Sequence, residues 1–562
     1  MMLTVSPQHP VLRGMATALA VFGLAVASAP AAKASDFCPN VYNAGVFNLN
    51  INPAFMHIDE MTHSNGQKYD GLIITSFYNA IKDPSGEGRA VDYFERDLVA
   101  RIQGIGYRSP SWWNPTRDTE YLSDQDLANP VKPSAPGQAV WPNEAQLVPD
   151  GILPFEGIVV PEGFHTSAEP GRLTIINLDD PGRETYLVHQ STYIPGEPCT
   201  LPNNPNHNPD VVPRFYHLVK WFDMDGDGLK DIVTVRSGFK VQPGICWPPN
   251  NGEVVWFKNP GAAIDKDTPW PEFILSGYPT NQNSADISLD MYDFEGDGVP
   301  EIVGGNFFTG EAITLYGAPV GGDWTDVNAA TAPPRTATLT GDQGWIFGVR
   351  VVDLNRDGKM DILASNHQSD NCFTPTMQEI PGRVIGLEQP LSGDIFNDPW
   401  TVRILKDDIR PNPTFPEPSS GPGRLAPGLA QEIWPTPFNE FYDKPYILVG
   451  GDEASKVWLL KPQSQDPNDW NYDSAVIFDI NEYYGPNTSQ SLTAPAPATG
   501  VSISTIGGIA WHYDRDWTWG SYAEIYIPVF EGRDIHRITF RPGDAANQVV
   551  CTADGALACP AP

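Results

Sequence analysis

Three acidic segments share one spacing of oxygen-bearing side chains, and that spacing is suited to holding a hard cation. They run from Asp223 to Asp231, from Asp293 to Glu301 and from Asp353 to Asp361. Side-chain oxygens stand at positions 1, 3, 5 and 9 of each segment, and the carbonyl of position 7 adds another. Glycine at position 6 permits the sharp turn that wraps these oxygens around an ion. Calcium is the predicted ion, at about three sites, and the predicted ligands are Asp223, Asp225, Asp227, Leu229, Asp231, Asp293, Glu295, Asp297, Val299, Glu301, Asp353, Asn355, Asp357, Lys359 and Asp361.

The residues that follow each acidic segment indicate strands rather than helices. Position 12, where a loop between two helices needs a bidentate glutamate, is Thr234, Gly304 or Ala364. The short runs after position 9 are rich in isoleucine and valine, which favour strands. Each loop is therefore predicted to join two strands of a hairpin, with the position-9 carboxylate opening the second strand. A solvated acidic turn is the alternative, and three matched copies argue against it.

The loops belong to a longer repeat, because their first residues lie 70 and then 60 residues apart. That period suits one propeller blade of four strands. The same pattern of apolar runs and turns places second strands near residues 70, 150, 231, 301, 361, 446 and 524. We therefore predict an all-β, seven-bladed β-propeller, with calcium loops between the first and second strands of several blades and long Pro/Gly-rich insertions. The predicted blades lie near 50–140, 145–210, 213–280, 285–340, 345–440, 443–500 and 505–550.

The seventh repeat lacks a clear fourth strand. Two segments are suited to supply it, residues 44–49 near the start of the chain and residues 548–551 near its end. Either one would close the ring, and the sequence leaves both open. Residues 35–562 are predicted to form this single ring.

Composition restricts the partners and the compartment. The 562 residues contain 35 Lys+Arg against 69 Asp+Glu, a formal charge of −34 that argues against nucleic acid and anionic membranes. Residues 1–34 have the features of a secretory signal peptide: Arg13, an apolar run over 16–29 and a small-residue site at 32–34. A retained membrane anchor is the alternative. All six cysteines follow this segment, an even number that predicts disulfides in a secreted or extracytoplasmic protein of the periplasm or cell surface.

The three loops, together with the strand pattern over 252–260, resemble the FG-GAP/VCBS repeat family of integrin-α-like calcium-loop propellers. The resemblance is specific at 223–231, 293–301 and 353–361, and no ion motif occurs in 35–215 or 440–562. It implies that calcium lies at the edge of a blade and stiffens a hairpin. The carboxylates would then be structural, and the function would lie on another surface.

Signs of catalysis are weak, since the chain contains neither a G-x-S-x-G nor an H-E-x-x-H motif. His57 and His63 lie six residues apart and are more typical of surface histidines than of a metal site, and His207 stands in a proline- and asparagine-rich loop. The ends of the predicted second strands carry polar and aromatic residues that would meet around one mouth of the ring, where they could bind a sugar or an acidic group. These are Thr75, Ser76, Phe77, Tyr78, Arg236, Ser237, Asn306, Phe307, Asn366, His367, Asp452, Glu453, Phe530 and Glu531. The favoured alternative is that they are ordinary polar turn residues at the ends of blades.

Two functions follow from these features. The first is an exported, calcium-stabilised binding module for carbohydrate or an extracellular protein, such as a lectin or an adhesion protein, with no membrane span after signal cleavage. The second is a secreted lyase or dehydratase acting on carbohydrate, with His367 or His217 as the base and a cation that stabilises developing negative charge. The binding module is favoured, because the predicted ion sites are filled by protein oxygens and leave little room for a substrate.

Overall fold

The computed structural model describes residues 39–553 except 50, 63–67, 77–96, 106–118, 125–138, 164–169, 195–211, 239–251, 278–283, 308–311, 330, 370–379, 413–424, 485–504, 515–520, 543–548 and 550–551. The signal segment 1–34, His63, His207 and all six cysteines lie outside these residues, so the signal peptide and the disulfides remain predictions. Residues 35–562 belong to one compact unit. Within the described part, no helix combines the length and the apolar composition needed to cross a bilayer.

Seven antiparallel sheets follow one another along the chain and form a seven-bladed β-propeller, which confirms the predicted fold. The strands of the first four blades are Phe55–Thr62, Lys68–Ser76, Leu98–Gln103 and Thr119–Asp124; Gln146–Leu147, Gly157–Pro161, Arg172–Asn177 and Thr185–Gln190; Phe215–Phe222, Asp231–Ser237, Glu253–Phe257 and Glu272–Ser276; and Ser288–Tyr292, Glu301–Gly305, Ile313–Gly317 and Arg335–Thr340. Those of the last three are Ile346–Val352, Asp361–Asn366, Gly382–Glu388 and Thr401–Ile409; Ala430–Ile433, Tyr446–Gly450, Lys456–Pro462 and Tyr472–Asp479; and Ala510–Tyr513, Ala523–Val529, Asp534–Thr539 and Tyr42–Asn48.

The described residues contain few secondary-structure elements outside the seven blades. Two short strand pairs, Tyr193–Ile194 with Val212–Pro213 and Gln368–Ser369 with Leu425–Ala426, lie in connections. Thr552–Ala553 adds a fifth strand to blade 6. The described α-helices are Pro437–Tyr442, named α1, and Ile480–Tyr484, named α2; short 3-10 turns cover Gly261–Ala263, Trp324–Asp326 and Asp452–Ala454.

The main hydrophobic cores lie between consecutive blades. One joins blades 3 and 4, where Val233 and Trp256 pack with Ile302 and Tyr316. Equivalent clusters join the other neighbours, including blades 7 and 1. A blade is therefore covered on both faces, and its second strand is buried throughout, as in Asp231–Ser237. Such strands read as continuous apolar runs rather than as alternating ones.

Two strand positions differ from those expected. The second strand of blade 2 is Gly157–Pro161 rather than a strand near 150. The first strand of blade 6 is Ala430–Ile433, inside the range 345–440 assigned to blade 5. This strand has only four residues and stands between Pro427 and Pro435, so its apolar pattern is too short to separate from the surrounding proline-rich insertion.

The ring is closed by residues from both ends of the described chain. Tyr42–Asn48 pairs antiparallel with Asp534–Thr539 and supplies the outer strand of blade 7, which confirms the first of the two alternatives. Tyr42–Asn48 occupies the position that the second alternative, residues 548–551, would have taken; apart from Val549 those residues lie outside the described part of the chain. An ion pair also crosses the junction, where His512 Nδ1 of blade 7 lies 2.9 Å from Asp70 Oδ2 of blade 1.

Phe47 is expected to be the side chain through which the closing strand stabilises the ring. It is buried and packs in the core between blades 7 and 1, whereas its neighbour Val46 is exposed. Phe47→Ala should lower the free energy of unfolding by roughly 3 kcal/mol, while Val46→Ala should change it by less than about 0.5 kcal/mol. Denaturant unfolding of both variants checks this; equal effects would mean that the strand does not pack as described.

The His512 ion pair should make ring closure depend on pH. Burial opposes the imidazolium, but hydrogen bonds to Asp70 and Glu524 outweigh it and raise the pKa of His512. A raised folded-state pKa adds stability that is fully present below pH of about 6.5 and is lost as the pH rises through the folded value. The difference in melting temperature between wild type and His512→Gln should therefore shrink from pH 6 to pH 9. A constant difference would show that His512 acts through packing alone.

Candidate metal centres

The three acidic loops connect the first and second strands of blades 3, 4 and 5, and so lie on one face of the ring. Their backbones match. Positions 4 and 6 adopt the left-handed conformation in every copy, with φ of 72° and 88° in the first loop, 71° and 91° in the second, and 62° and 90° in the third. The residues are Gly226, Gly228, Gly296, Gly298, Arg356 and Gly358. Glycine adopts this conformation without steric cost, and Arg356 is the exception.

The hydrogen bonds inside the loops also match. The N–H of position 6 donates to the position-1 carboxylate at 2.8, 2.9 and 3.1 Å, in the pairs Gly228–Asp223, Gly298–Asp293 and Gly358–Asp353. The N–H of position 7 donates to the position-5 carboxylate at 2.9 Å in all three, in the pairs Leu229–Asp227, Val299–Asp297 and Lys359–Asp357. Three sequences with different side chains between the acids thus fold to one geometry.

The position-9 carboxylates Asp231, Glu301 and Asp361 are almost fully buried at the start of the second strand, at 0%, 1% and 1% exposure. Each accepts the N–H of position 2 of its own loop, at 2.9 to 3.1 Å. The second oxygen of Asp231 and of Asp361 accepts an N–H from the end of the third strand. These carboxylates therefore fasten the loop to its sheet.

The surroundings of position 9 disfavour the ionised form of its carboxyl group. Burial, together with the nearby loop carboxylates, raises the pKa of Asp231 to about 6, of Glu301 to about 7 and of Asp361 to about 8. A bound cation would favour the ionised forms.

The first loop brings three carboxylates together and is a candidate cation site. Asp223, Asp225 and Asp227 each offer an oxygen, and these atoms all lie within 4.8 Å of one another. The ammonium of Lys258 contacts Asp225 and lies 3.0 Å from Asp227 Oδ2, so the loop already attracts positive charge. These hydrogen bonds raise the pKa of Lys258.

In the second and third loops, a predicted ligand is engaged by another group of the protein. In the second, Arg335 binds both oxygens of Glu295, at 3.1 and 2.6 Å. In the third, Asn355 Oδ1 accepts the N–H of Asp357 at 2.9 Å, and Lys359 Nζ turns away to the carbonyls of Pro390 and Leu391. The structure thus brings the predicted residues together in every loop, and the first matches a cation site best.

The polar residues at the ends of the second strands hold their own blades together on the opposite face. Glu162, Glu453 and Glu531 each accept a backbone N–H from the segment that enters the same blade, at 2.8 to 2.9 Å. Asn366 donates to the carbonyl of Gln343 at 2.7 Å in the same manner. Glu162 was not singled out in the sequence, because the strand before it was expected near residue 150.

Arg236 is likewise internal to blade 3. It is fully buried, with its guanidinium 2.7 Å from Glu253 and 2.5 Å from Glu272. Arg214 also reaches Glu253, at 2.9 Å. Arg236 therefore pairs with the buried carboxylate of Glu253 and the more exposed one of Glu272, rather than lining an open mouth as the sequence pattern suggested.

Aromatic rings from several blades meet at the centre of this face. His217 packs edge-on against Phe55 of blade 1 and Phe347 of blade 5, with centroids 5.4 and 6.1 Å away. His367 stacks on Phe347 at 4.4 Å, and its Nδ1 lies 2.6 Å from the carbonyl of Pro427. His217 and His367 are only 2% and 4% exposed, and burial lowers the pKa of His367 to about 4.

Charged side chains of the innermost strands lie along the axis beyond these rings. Lys220 of blade 3 pairs with Asp290 of blade 4 at 2.9 Å, and Arg350 of blade 5 pairs with Glu432 of blade 6 at 3.2 Å. Closer to blade 1, His57 Nε2 lies 3.1 Å from Asp59 on its own strand. The pairs between blades connect neighbouring innermost strands.

Comparison with known proteins adds little beyond the fold. No protein-family model matches the chain, and no curated protein matches it in sequence. Among solved structures it is similar to an α-L-arabinofuranosidase of Fusarium graminearum in complex with an iminosugar inhibitor, over 90% of this chain and 98% of that one, at 9% sequence identity and a TM-score of 0.37. At these values the similarity carries no inference about chemistry, so the function must be derived from the residues of this chain.

Proposed function

We propose that this chain is an exported, calcium-stabilised β-propeller that binds an extracellular ligand without transforming it. The proposal rests on the repetition of one loop geometry in three consecutive blades, down to the hydrogen bonds of positions 1 and 5. Unrelated acidic turns would not be expected to adopt the left-handed backbone conformation at the same two positions. The repetition is also what the resemblance to calcium-loop propellers leads us to expect.

The calcium would be held by the carboxylates of positions 1, 3 and 5 and by the carbonyl of position 7, with the carboxylate of position 9 behind them. Calcium accepts six to eight oxygen ligands in flexible geometry, so mixed aspartate, asparagine and glutamate sets are compatible with it. Its charge would offset the repulsion between the loop carboxylates. The ion would thus stiffen three hairpins on one face of the ring.

Binding is favoured over catalysis by the surroundings of the two candidate bases. A general base must come within hydrogen-bond distance of its substrate, and His217 and His367 are only 2% and 4% exposed. Both pack against phenylalanine rings, and their nearest carboxylates are Glu144, 3.4 Å from His217, and Asp452, 3.5 Å from His367. The lowered pKa of His367 also makes its imidazole a weak base at neutral pH. The lyase or dehydratase alternative therefore gains no support from the residues that suggested it.

Thermal unfolding of residues 35–562 tests the role of calcium. With millimolar Ca²⁺ in place of EDTA, the protein should be stabilised by roughly 2.7 kcal/mol per site at a hundredfold excess over Kd. Mg²⁺ should stabilise it less, because Mg²⁺ requires a smaller octahedral set of ligands. Identical melting in all three conditions would show that the loops are acidic turns.

Asp227→Ala isolates the first loop. Removal of the position-5 carboxylate should lower the melting temperature more in calcium than in EDTA, where Asp227 contributes only the hydrogen bond from the Leu229 N–H and a pairing with Lys258, both close to solvent. Asp265→Ala is the matched control, because it removes an exposed carboxylate of the same blade outside the loop. Equal losses with and without calcium would assign Asp227 a packing role instead.

A further inference from the structure

An exposed group of aromatic side chains lies on the same face of the ring as the acidic loops. Blade 6 joins its first and second strands through α1 instead of an acidic loop. Phe438, Phe441 and Tyr442 of α1 leave 71%, 81% and 65% of their surface exposed. The ring of Tyr442 lies 4.8 Å from that of Phe438 and 5.5 Å from that of Phe441. Exposed contiguous apolar groups of this kind mark interaction sites in soluble proteins.

We propose that these three residues, named the aromatic platform, bind a neutral polysaccharide. This inference rests on the proposed function and assigns a ligand class and a site to it. The size of the platform argues against a protein partner, since three aromatic side chains at this exposure offer roughly 400 Å². Each partner in a standard protein–protein interface buries about 800 Å².

Charge also restricts the ligand. α1 has no basic residue in its last turn, carries Glu440 in its first turn and ends at Asp443. The chain as a whole carries −34, so acidic polymers and anionic membranes are repelled. A neutral sugar has an apolar ring face that can cover an aromatic side chain, and its hydroxyl groups can donate to carboxylates at the rim.

The platform is held rigidly, which lowers the entropic cost of binding. Thr436 caps α1 by accepting the N–H of Asn439, and Pro437 occupies the first turn. Asn439 Nδ2 donates to Asp443 Oδ2 at 2.7 Å. Below the helix, buried Trp434 donates from Nε1 to the carbonyl of Asp443 at 3.0 Å.

Arg356 connects this helix to the third acidic loop. Its Nε donates to the carbonyl of Asp443 at 2.9 Å, and its Nη2 donates to that of Glu440. The guanidinium also lies over the Trp434 ring, 5.3 Å from the centroid. Arg356 occupies position 4 in the left-handed conformation, where the other loops have Gly226 and Gly296. An unfavourable backbone conformation is retained where surrounding contacts fix it, and here those contacts fasten α1 to the loop.

Affinity gel electrophoresis of residues 35–562 in calcium tests the platform. The probes are a neutral β-glucan, a galactomannan and an arabinan, with polygalacturonate as the acidic comparison. At least one neutral polymer should retard the wild type, and polygalacturonate should not. The combined variant Phe438→Ala, Phe441→Ala, Tyr442→Ala should weaken that affinity roughly tenfold or more. Tyr121→Ala, which removes an exposed aromatic from the outer strand of blade 1, should leave it unchanged.

The outcomes separate the platform from the proposed function. Retardation of the wild type and of the combined variant to the same extent would overturn the platform but retain a carbohydrate-binding propeller. Retardation by polygalacturonate alone, or by no probe, would overturn the assignment of a neutral polysaccharide. The calcium-dependent melting shift is measured independently of both results.

Arg356→Gly tests the connection to the loop. Glycine suits the left-handed position, so the calcium-dependent melting shift should match that of the wild type. Loss of the two hydrogen bonds to α1 should nevertheless weaken retardation several-fold. Unchanged retardation would show that Arg356 does not order the platform, and a lost melting shift would show that its role belongs to the ion site.

Discussion

The fold depends on the burial of both faces of every blade, which is possible only if the ring closes. Seven hydrophobic cores lie between consecutive blades, and the core between blades 7 and 1 forms only when the ends of the chain meet. Tyr42–Asn48 makes this closure as the outer strand of blade 7. An open ring would expose the inner apolar faces of two blades, a large cost against the small net stability of a folded protein.

The two faces of the closed ring differ in the contacts that their side chains make. On one face, Glu162, Glu453 and Glu531 bind the entering segments of their own blades, and aromatic rings fill the centre. On the other face, the connections between first and second strands differ from blade to blade, and Met224, Leu354 and Trp434 anchor three of them in the cores. Loops on a rigid scaffold are common places for binding residues. The acidic loops and α1 all lie among these connections.

Local patterns in the sequence predicted the blades whose strands are long and apolar. The runs after Asp231, Glu301 and Asp361 are buried on both faces and begin directly after recognisable acidic turns, so their positions were evident. Trp256 and Trp324 of the same blades are buried as well. Shorter elements between prolines were missed, among them Ala430–Ile433 and the six-residue α1.

The roles of the strand-end side chains were not predictable from local pattern, because they depend on partners far along the chain. Glu453 accepts from Leu425, 28 residues earlier, and Glu531 from Thr505, 26 residues earlier. Spacing identifies a polar residue at the end of a strand, but not whether it faces a ligand or a neighbouring segment. The acidic loops differ because all their hydrogen bonds from positions 6 and 7 are local, so one spacing specifies both the turn and its oxygens.

Blade 6 has a buried side-chain cation in the connection where blades 3 to 5 have acidic loops. Its connection between first and second strands lacks the acidic spacing, and instead buries Lys444 at 1% exposure. The Lys444 ammonium donates to the carbonyls of Asp466 and Asp469, the latter at 2.7 Å. Backbone oxygens in this blade are thus satisfied by a charge that the chain supplies itself. The buried ammonium therefore joins the connection that displays Phe438, Phe441 and Tyr442 to the turn between the third and fourth strands of the same blade.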